Sequence, residues 1–253
     1  MEKRVFQLAK DNSHPFNGEI VYLGTKHDKA IALAPHFQAI GMTLEAVIVD
    51  TDEFGTFTGE VERKGTVKET LRRKILAVAQ KKPSARFILA SEGSFGPHPY
   101  VGFIQSDIEV LLFSDQKSDL EVFVDELSMK TNHDEIELSP ADDLKTFLER
   151  VQFPSHGLIV RPKGVTNATR KGLQDLAQLR QVINEGFRRS PEAKVILSTD
   201  MRASFNPTRM SVISKAGEKL VSRLRSFCPE CESVGFAPAK GISGLPCSEC
   251  GLS

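Results

Sequence analysis

The sequence predicts an α/β protein. Its expected core is a layered sheet, mixed or mostly parallel, flanked by helices, with a small four-cysteine element at the C-terminal end. Three observations carry this. Short apolar runs alternate with amphipathic stretches along most of the chain. Helix-start signals stand in front of the amphipathic stretches. Two C-x-x-C pairs close the chain after the last of them.

Taken in order, EIVYLGT at 19–25 reads as a strand and residues 28–40 as a helix. EAVIVD at 45–50 is a second strand, followed by the Gly/Thr/Phe-rich loop DTDEFGTFTGEVERKG. Thr66 with Glu69 makes a capping box. It opens a helix to about Lys81 with Val67, Leu71, Ile75 and Val78 on one face, stopped by Pro83. RFILAS at 86–91 is a strand expected to end in the loop EGSFGPHP, and residues 101–114 hold one or two more strands.

Ser139-Pro140 is expected to start a helix running to about Gln152. GLIVRP at 157–162 and AKVILST at 193–199 read as strands around a helix at about 170–189. Asn206-Pro207 launches the longest helix, with Met210, Ile213, Gly217, Leu220, Leu224 and Phe227 on its buried stripe. The division expected is an α/β domain over 1–226 and a C-terminal element over 227–253.

The chain has 253 residues, 40% apolar and 26% charged, which is ordinary globular composition and enough for a sizeable core. It has no apolar run of the roughly 18 residues a membrane helix needs. Its N-terminus lacks the apolar core of a signal peptide. A cytoplasmic protein is the expectation, and there thiols stay reduced.

The net charge of zero conceals an asymmetry. Residues 1–160 carry 18 Lys+Arg against 25 Asp+Glu, whereas residues 161–226 carry 14 against 5. A basic half can face a phosphate or a nucleic acid, or its charge can be neutralised by the acidic half.

The cysteine spacing is C-x2-C-x15-C-x2-C, from Cys228, Cys231, Cys247 and Cys250. Two such knuckles can supply four thiolates to one tetrahedral structural zinc ion. The polar, Gly-rich stretch between them cannot bury a core of its own, so metal would supply much of its folding energy.

Polar residues gather where strands end, which in an open α/β sheet is where ligands bind. Thr25 and Lys29 lie in the first strand–helix turn. Glu92 and His98 lie in the SEGSFGPHP stretch. Asp200, Arg202, Asn206 and Arg209 lie in DMRASFNPTR. The start of the last helix offers backbone N–H groups and a dipole suited to an anion, and Arg202 and Arg209 add forked donors. Glu60, Glu92, His98 and Asp200 are candidates for holding Mg²⁺ or activating water. His156, entering a strand, fits a structural role better. There is no G-x-x-x-x-G-K-[ST] loop, no G-x-G-x-x-G after the first strand, no H-E-x-x-H and no G-x-S-x-G.

The segments DTDEFGTFTGEVERKGT, LASEGSFGPHP, FPSHGLIV and TDMRASFNPTRM, with the terminal C-P-x-C, resemble a bacterial family designated domain of unknown function 6671. The order of motifs is also similar to the house-cleaning nucleoside triphosphate pyrophosphatases. Thr25 and Lys29 stand in a turn similar to that family's T-x-N-x-x-K-type turn, with Lys26 where Asn is expected. Residues 60–74 resemble its acidic and basic helix. Ser91-Glu92-Gly93 resembles its acidic Gly loop, with the acid displaced by one position. Asn206-Pro207-Thr208-Arg209 resembles its closing basic motif.

That resemblance implies Mg²⁺-dependent hydrolysis of a nucleotide. Lys29, Arg202 and Arg209 would hold phosphates, and Glu60 and Glu92 would hold metal or activate water. The alternatives are a nucleic-acid-binding protein using residues 161–226 and the cysteine ribbon, or a regulatory, protein-interaction module.

Overall fold

The computed structural model describes residues 14–49, 65–238, 244 and 248–250. Two sheets organise them. The first is five-stranded, in the order β2-β1-β3-β4-β5. It comprises β1 (Ile20–Thr25), β2 (Thr43–Ile48), β3 (Phe87–Pro97), β4 (Gln105–Asp115) and β5 (Leu120–Ser128). Strand β1 lies parallel to both β2 and β3, while β3, β4 and β5 follow one another antiparallel. The second sheet is four-stranded and antiparallel throughout, in the order β6-β9-β7-β8. It comprises β6 (Glu135–Leu138), β7 (Leu158–Pro162), β8 (Arg170–Leu173) and β9 (Val195–Thr199). The fold is therefore mixed α/β, and of the two sheet types the sequence predicts it is the mixed one and not the mostly parallel: among the described strands only β2-β1-β3 are parallel.

Two helices lie on one face of the first sheet and one on the other. Helix α1 (Lys29–Gln38) and helix α5 (Pro207–Leu224) cover the face carrying Val21, Leu23, Phe87, Leu89, Leu111 and Phe113. Helix α2 (Val67–Lys81) covers the other face through Leu71, Ile75 and Val78 against Ile88, Ala90 and Leu112. The period-2 alternation of β3 sends odd residues one way and even residues the other. Phe16, Phe37, Phe87 and Phe113 form one ring cluster, with centroids 4.6 Å apart for Phe16–Phe87 and 5.5 Å for Phe87–Phe113. Such tilted and offset pairs add to the burial of each ring. Helices α3 (Lys145–Arg150) and α4 (Leu176–Arg189) cover the second sheet.

The capping signals place three helix starts. Thr66 and Glu69 make the full reciprocal box at α2. Asp175 caps α4 by accepting from the Gln178 N–H at 2.8 Å. Asn206 caps α5 ahead of Pro207.

Several expected elements differ. The stretch expected as a loop after Ser91 is strand: β3 runs on to Pro97, paired residue for residue with β4. Its glycines are tolerated because β4 supplies the hydrogen bonds. The helix expected from Ser139 begins only at Lys145, because the Asp142 and Asp143 carboxylates accept from the Ser139 and Lys145 N–H groups and hold a turn. Residues 170–173 are strand, not helix. Gly172 has φ +74 there, and a Cβ would meet the Phe205 ring at 2.8 Å. Strands β5 and β6 are additional to those the sequence predicts.

Helix α5 joins the two sheets. The chain leaves β9, passes Asp200 and a short 3-10 turn at Ala203–Phe205, and enters α5, which packs on α1, β4 and β5. Beyond it, residues 227–234 fold back as a short antiparallel bridge, Phe227 to Val234, and Val234 is buried in the first sheet's core. None of the helices among the described residues is long and apolar enough to cross a membrane.

Candidate functional site

Strand β1 stops at Thr25. Its last pairing with β3 is Leu23 to Leu89, so β3 runs eight residues beyond it. The β3–β4 hairpin thus projects past the carboxyl end of the parallel strands, and α1 and α5 both begin near that step. Charged residues that the core cannot neutralise with solvent collect here. Lys29, Lys74, Glu92, Asp107, Glu109 and Arg209 are all buried, none more than 7% exposed.

They divide between the two faces of the sheet. On the α2 side, Lys74 Nζ donates to the Glu92 carboxylate and, at 2.9 Å, to the Ser91 carbonyl. On the α1/α5 side, Lys29 Nζ donates to Ser91 Oγ at 2.9 Å. There Arg209 Nε donates to Glu109 Oε1 at 2.6 Å and Nη1 to the Met201 carbonyl at 2.5 Å. Asp107 and Glu109 stand two residues apart on β4 and so share this face, opposite Phe95 and Gly93 of β3. The Arg209 guanidinium lies 5.1 Å from the Phe95 ring.

Gly93 is required at its position. A Cβ there would lie 2.5 Å from Glu109 Oε1 and inside contact distance of Arg209 Nη2. One oxygen of each β4 acid, Asp107 Oδ1 and Glu109 Oε2, is buried with no hydrogen-bond partner among the described residues. Such atoms are uncommon and mark strained or functional positions.

Protonation follows from the same crowding. Burial, then repulsion from Arg209, brings Lys29 down to about 7, with Lys74 acting in the same direction and Glu109 and Glu92 opposing. Burial, then the Glu109 charge, pushes Asp107 up to about 8. Two groups on one face therefore change protonation near neutral pH, as acid–base chemistry needs.

Of the residues singled out by sequence, Lys29, Glu92 and Arg209 enter this cluster. Thr25 ends β1 beside it, its hydroxyl accepting from the His27 N–H at 3.1 Å. The others lie elsewhere or are engaged otherwise. His98 closes the hairpin turn, Nδ1 accepting from the Tyr100 and Val101 N–H groups at 3.2 Å. Asp200 is buried and paired with Arg202, Nη2 to Oδ2 at 2.6 Å, and also accepts from the Gly172 N–H. Arg202 in turn covers the Phe205 ring at 4.4 Å. Glu60 falls outside the described residues.

The start of α5 is not open to an anion. The Arg209 N–H is taken by Asn206 Oδ1 at 2.9 Å and the Thr208 N–H by His156 Nε2 at 3.3 Å. Asn206 Nδ2 donates to Asn132 Oδ1 at 2.8 Å. His156 is buried, and its other nitrogen faces Ser155 Oγ at 2.9 Å. With Nε2 accepting, Nδ1 carries the proton, and the ring is a neutral structural bridge.

The sequence motifs do not single out Asp107 and Glu109, and Lys74 enters only through the pyrophosphatase resemblance. A signal did exist. In QSDIEVLLF the acids occupy alternate positions whose continuation, Leu111 and Phe113, is core. Acids on the inward face of a strand cannot be ordinary solvated carboxylates.

Part of the basic excess of residues 161–226 is met by acids. Lys163 pairs with Glu137 and Glu192 at 2.9 Å each, Lys194 with Glu137 at 2.5 Å, and Arg161 with Glu135 at 3.4 Å. Arg202 and Arg209 are the partners of Asp200 and Glu109.

The C-terminal cysteines are partly placed. Cys228 and Cys231 flank a turn in which the Cys228 N–H donates to the Ser233 carbonyl and the Glu232 N–H to the Cys228 carbonyl, both at 2.9 Å. Glu232 has φ +55 there. The Ser233 hydroxyl, with backbone donors and the Cys228 thiol, holds the Cys231 thiol below its ordinary value. Cys250 is exposed, and Cys247 lies outside the described residues. Among the described residues no three His, Cys, Asp or Glu side chains are gathered as a metal site.

Residues 76–253 match the family described as "Domain of unknown function (DUF6671)", and the chain belongs to that family. No curated protein matches the chain. Among solved structures, it is similar to "Crystal structure of protein VC0702 from Vibrio cholerae", at 12% identity and a TM-score of 0.37, over 81% of this chain and 93% of that one.

Proposed function

We propose that the protein is a divalent-cation-dependent hydrolase of a nucleotide phosphate ester or anhydride, with the buried cluster at the β1–β3 step as its active site. The observation that carries this is the composition of the cluster: Lys29, Lys74 and Arg209 against Glu92, Asp107 and Glu109, all buried where parallel strands end. Phosphate transfer to water asks the protein mainly for positioning and for fixed positive charge around the phosphoryl oxygens. Lys29 and Arg209 reach the α1/α5 face from two helix starts, and Lys74, oriented by Glu92, approaches from the other side. A bound cation would polarise the phosphate and lower the pKa of a water. Nucleic-acid binding is the weaker reading, because several basic side chains of 161–226, Arg202 and Arg209 among them, already have acidic partners.

We also propose that Cys228, Cys231, Cys247 and Cys250 bind one structural zinc ion. The turn at Cys228–Cys231 supports this, since it brings the two thiols together on a bridge anchored by Val234. Four reduced thiols fit a cytoplasmic location.

The test of the hydrolase reading is release of phosphate or pyrophosphate from a panel of nucleoside triphosphates with Mg²⁺. Wild type is compared with Lys29→Met and Glu92→Gln, each shown to be folded. Turnover in the wild type that both substitutions depress is the expected result. A folded wild type that turns over none of the panel overturns it.

A further inference from the structure

We infer that Asp107 and Glu109 of β4 form the protein side of a divalent-cation site, with Asp107 Oδ1 and Glu109 Oε2 as ligands. The inference deepens the hydrolase reading and rests on it only for what the cation does. The pyrophosphatase resemblance implies instead Glu60 and Glu92 for the metal. Glu92 is on the opposite face of the sheet, where Lys74 binds its carboxylate and faces the Ser91 carbonyl as well.

Asp107 and Glu109 are 1% and 0% exposed, and each keeps one oxygen without a hydrogen-bond partner. A buried carboxylate oxygen left in that condition loses its hydration and gains nothing in exchange. Two of them, two residues apart on one strand face, make a position that a cation relieves. The rest of the wall fits. Gly93, directly across the ladder, has no side chain, and a Cβ there would press on Glu109 Oε1 at 2.5 Å. Arg209 Nε holds the other Glu109 oxygen, so the carboxylate cannot swing away.

The donor set is carboxylate oxygen, with no imidazole or thiolate in the cluster among the described residues. That selects a hard cation of the Mg²⁺ or Mn²⁺ class, not zinc. Mg²⁺ commonly takes one or two carboxylates and completes its shell with water and substrate phosphate. Lys29 and Arg209 on the same face leave that remaining side suited to an anion, so cation and phosphate would arrive at adjoining positions.

The experiment is Mn²⁺ binding to the intact protein without nucleotide, read by electron paramagnetic resonance and competed with Mg²⁺. Mn²⁺ prefers oxygen ligands, which separates this site from the C-terminal cysteines. One Mn²⁺ site displaced by Mg²⁺ is expected in the wild type, weakened about tenfold or more in Asp107→Asn and in Glu109→Gln, and kept in Glu92→Gln. Asp107→Asn leaves the Arg209–Glu109 pair intact, so it remains informative should Glu109→Gln fail to fold. A wild type that binds no Mn²⁺, variants at 107 and 109 that bind as well as wild type, or loss of binding only in Glu92→Gln overturns the assignment. Cation binding without turnover of any nucleotide would remove the hydrolase reading and leave the site standing. Turnover that is indifferent to Asp107 and Glu109 would do the reverse.

Discussion

Replacing Gly93 by alanine tests the cluster's packing with a single methyl group. The added Cβ would sit 2.5 Å from Glu109 Oε1 and within contact of Arg209 Nη2. Carbon and oxygen need roughly 1 Å more than that. The strand cannot yield, because Gly93 is held in register against Glu109 in the middle of an eleven-residue ladder. The clash must be relieved by moving Arg209 and Glu109, whose mutual bond is 2.6 Å and whose second anchor, Arg209 Nη1 to Met201 O, is 2.5 Å.

Overpacking in a core costs about 1–3 kcal/mol, and weakening a charged hydrogen bond adds a share of about 1.5–3 kcal/mol. A loss of about 2–4 kcal/mol follows, lowering Tm by roughly 5–15 °C for a chain of this size. The control is Gly102→Ala in the hairpin, where a Cβ meets nothing within 4 Å. It should be neutral or slightly stabilising, since alanine restricts the unfolded chain. Thermal melts by circular dichroism, with urea titrations beside them, read both. A Gly93→Ala protein melting within about 1 °C of wild type, or a Gly102→Ala protein destabilised as much, would refute the claim that the cluster is tightly packed against β3.

Three further outcomes are expected. Burial lowers the His156 pKa from its ordinary 6.5, so the neutral ring contributes stability above that value, and this is lost as pH falls through the folded-state pKa. Urea midpoints should drop on acidification below about pH 6.5, less steeply in His156→Asn, with a residual slope because burial lowers His14 in the same direction. Elemental analysis of protein purified without chelator should find one zinc per chain, lost in Cys228→Ser/Cys231→Ser, with a lower Tm because the knuckle's Val234 is part of the main core. Arg209→Met should destabilise by about 3–5 kcal/mol by stranding Glu109, with an Arg209→Met/Glu109→Leu double variant recovering part of the loss in a urea-based cycle.

Much of the fold is legible locally, because local physics decides it. Thr66 with Glu69 and Asn206 with Pro207 place the starts of α2 and α5 from three side chains and a ring. The stripe from Ile213 to Leu224 gives the buried face of α5. The cysteine spacing likewise states its metal proposal in the sequence alone.

Where a segment's state depends on a partner far along the chain, the sequence is silent or misleading. SEGSFGP has the residues of a loop, yet it is strand because β4 pairs with it. Residues 170–173 have helical company, yet they are strand because β7 lies alongside. The site divides in the same way. Lys29 and Arg209 could be picked out from the polar turns that hold them. That they meet Asp107 and Glu109, some 80 and 100 residues away in the chain, is decided by sheet order alone. Whether a charge is solvated or buried beside another depends on which strands become neighbours, and no local pattern carries that information.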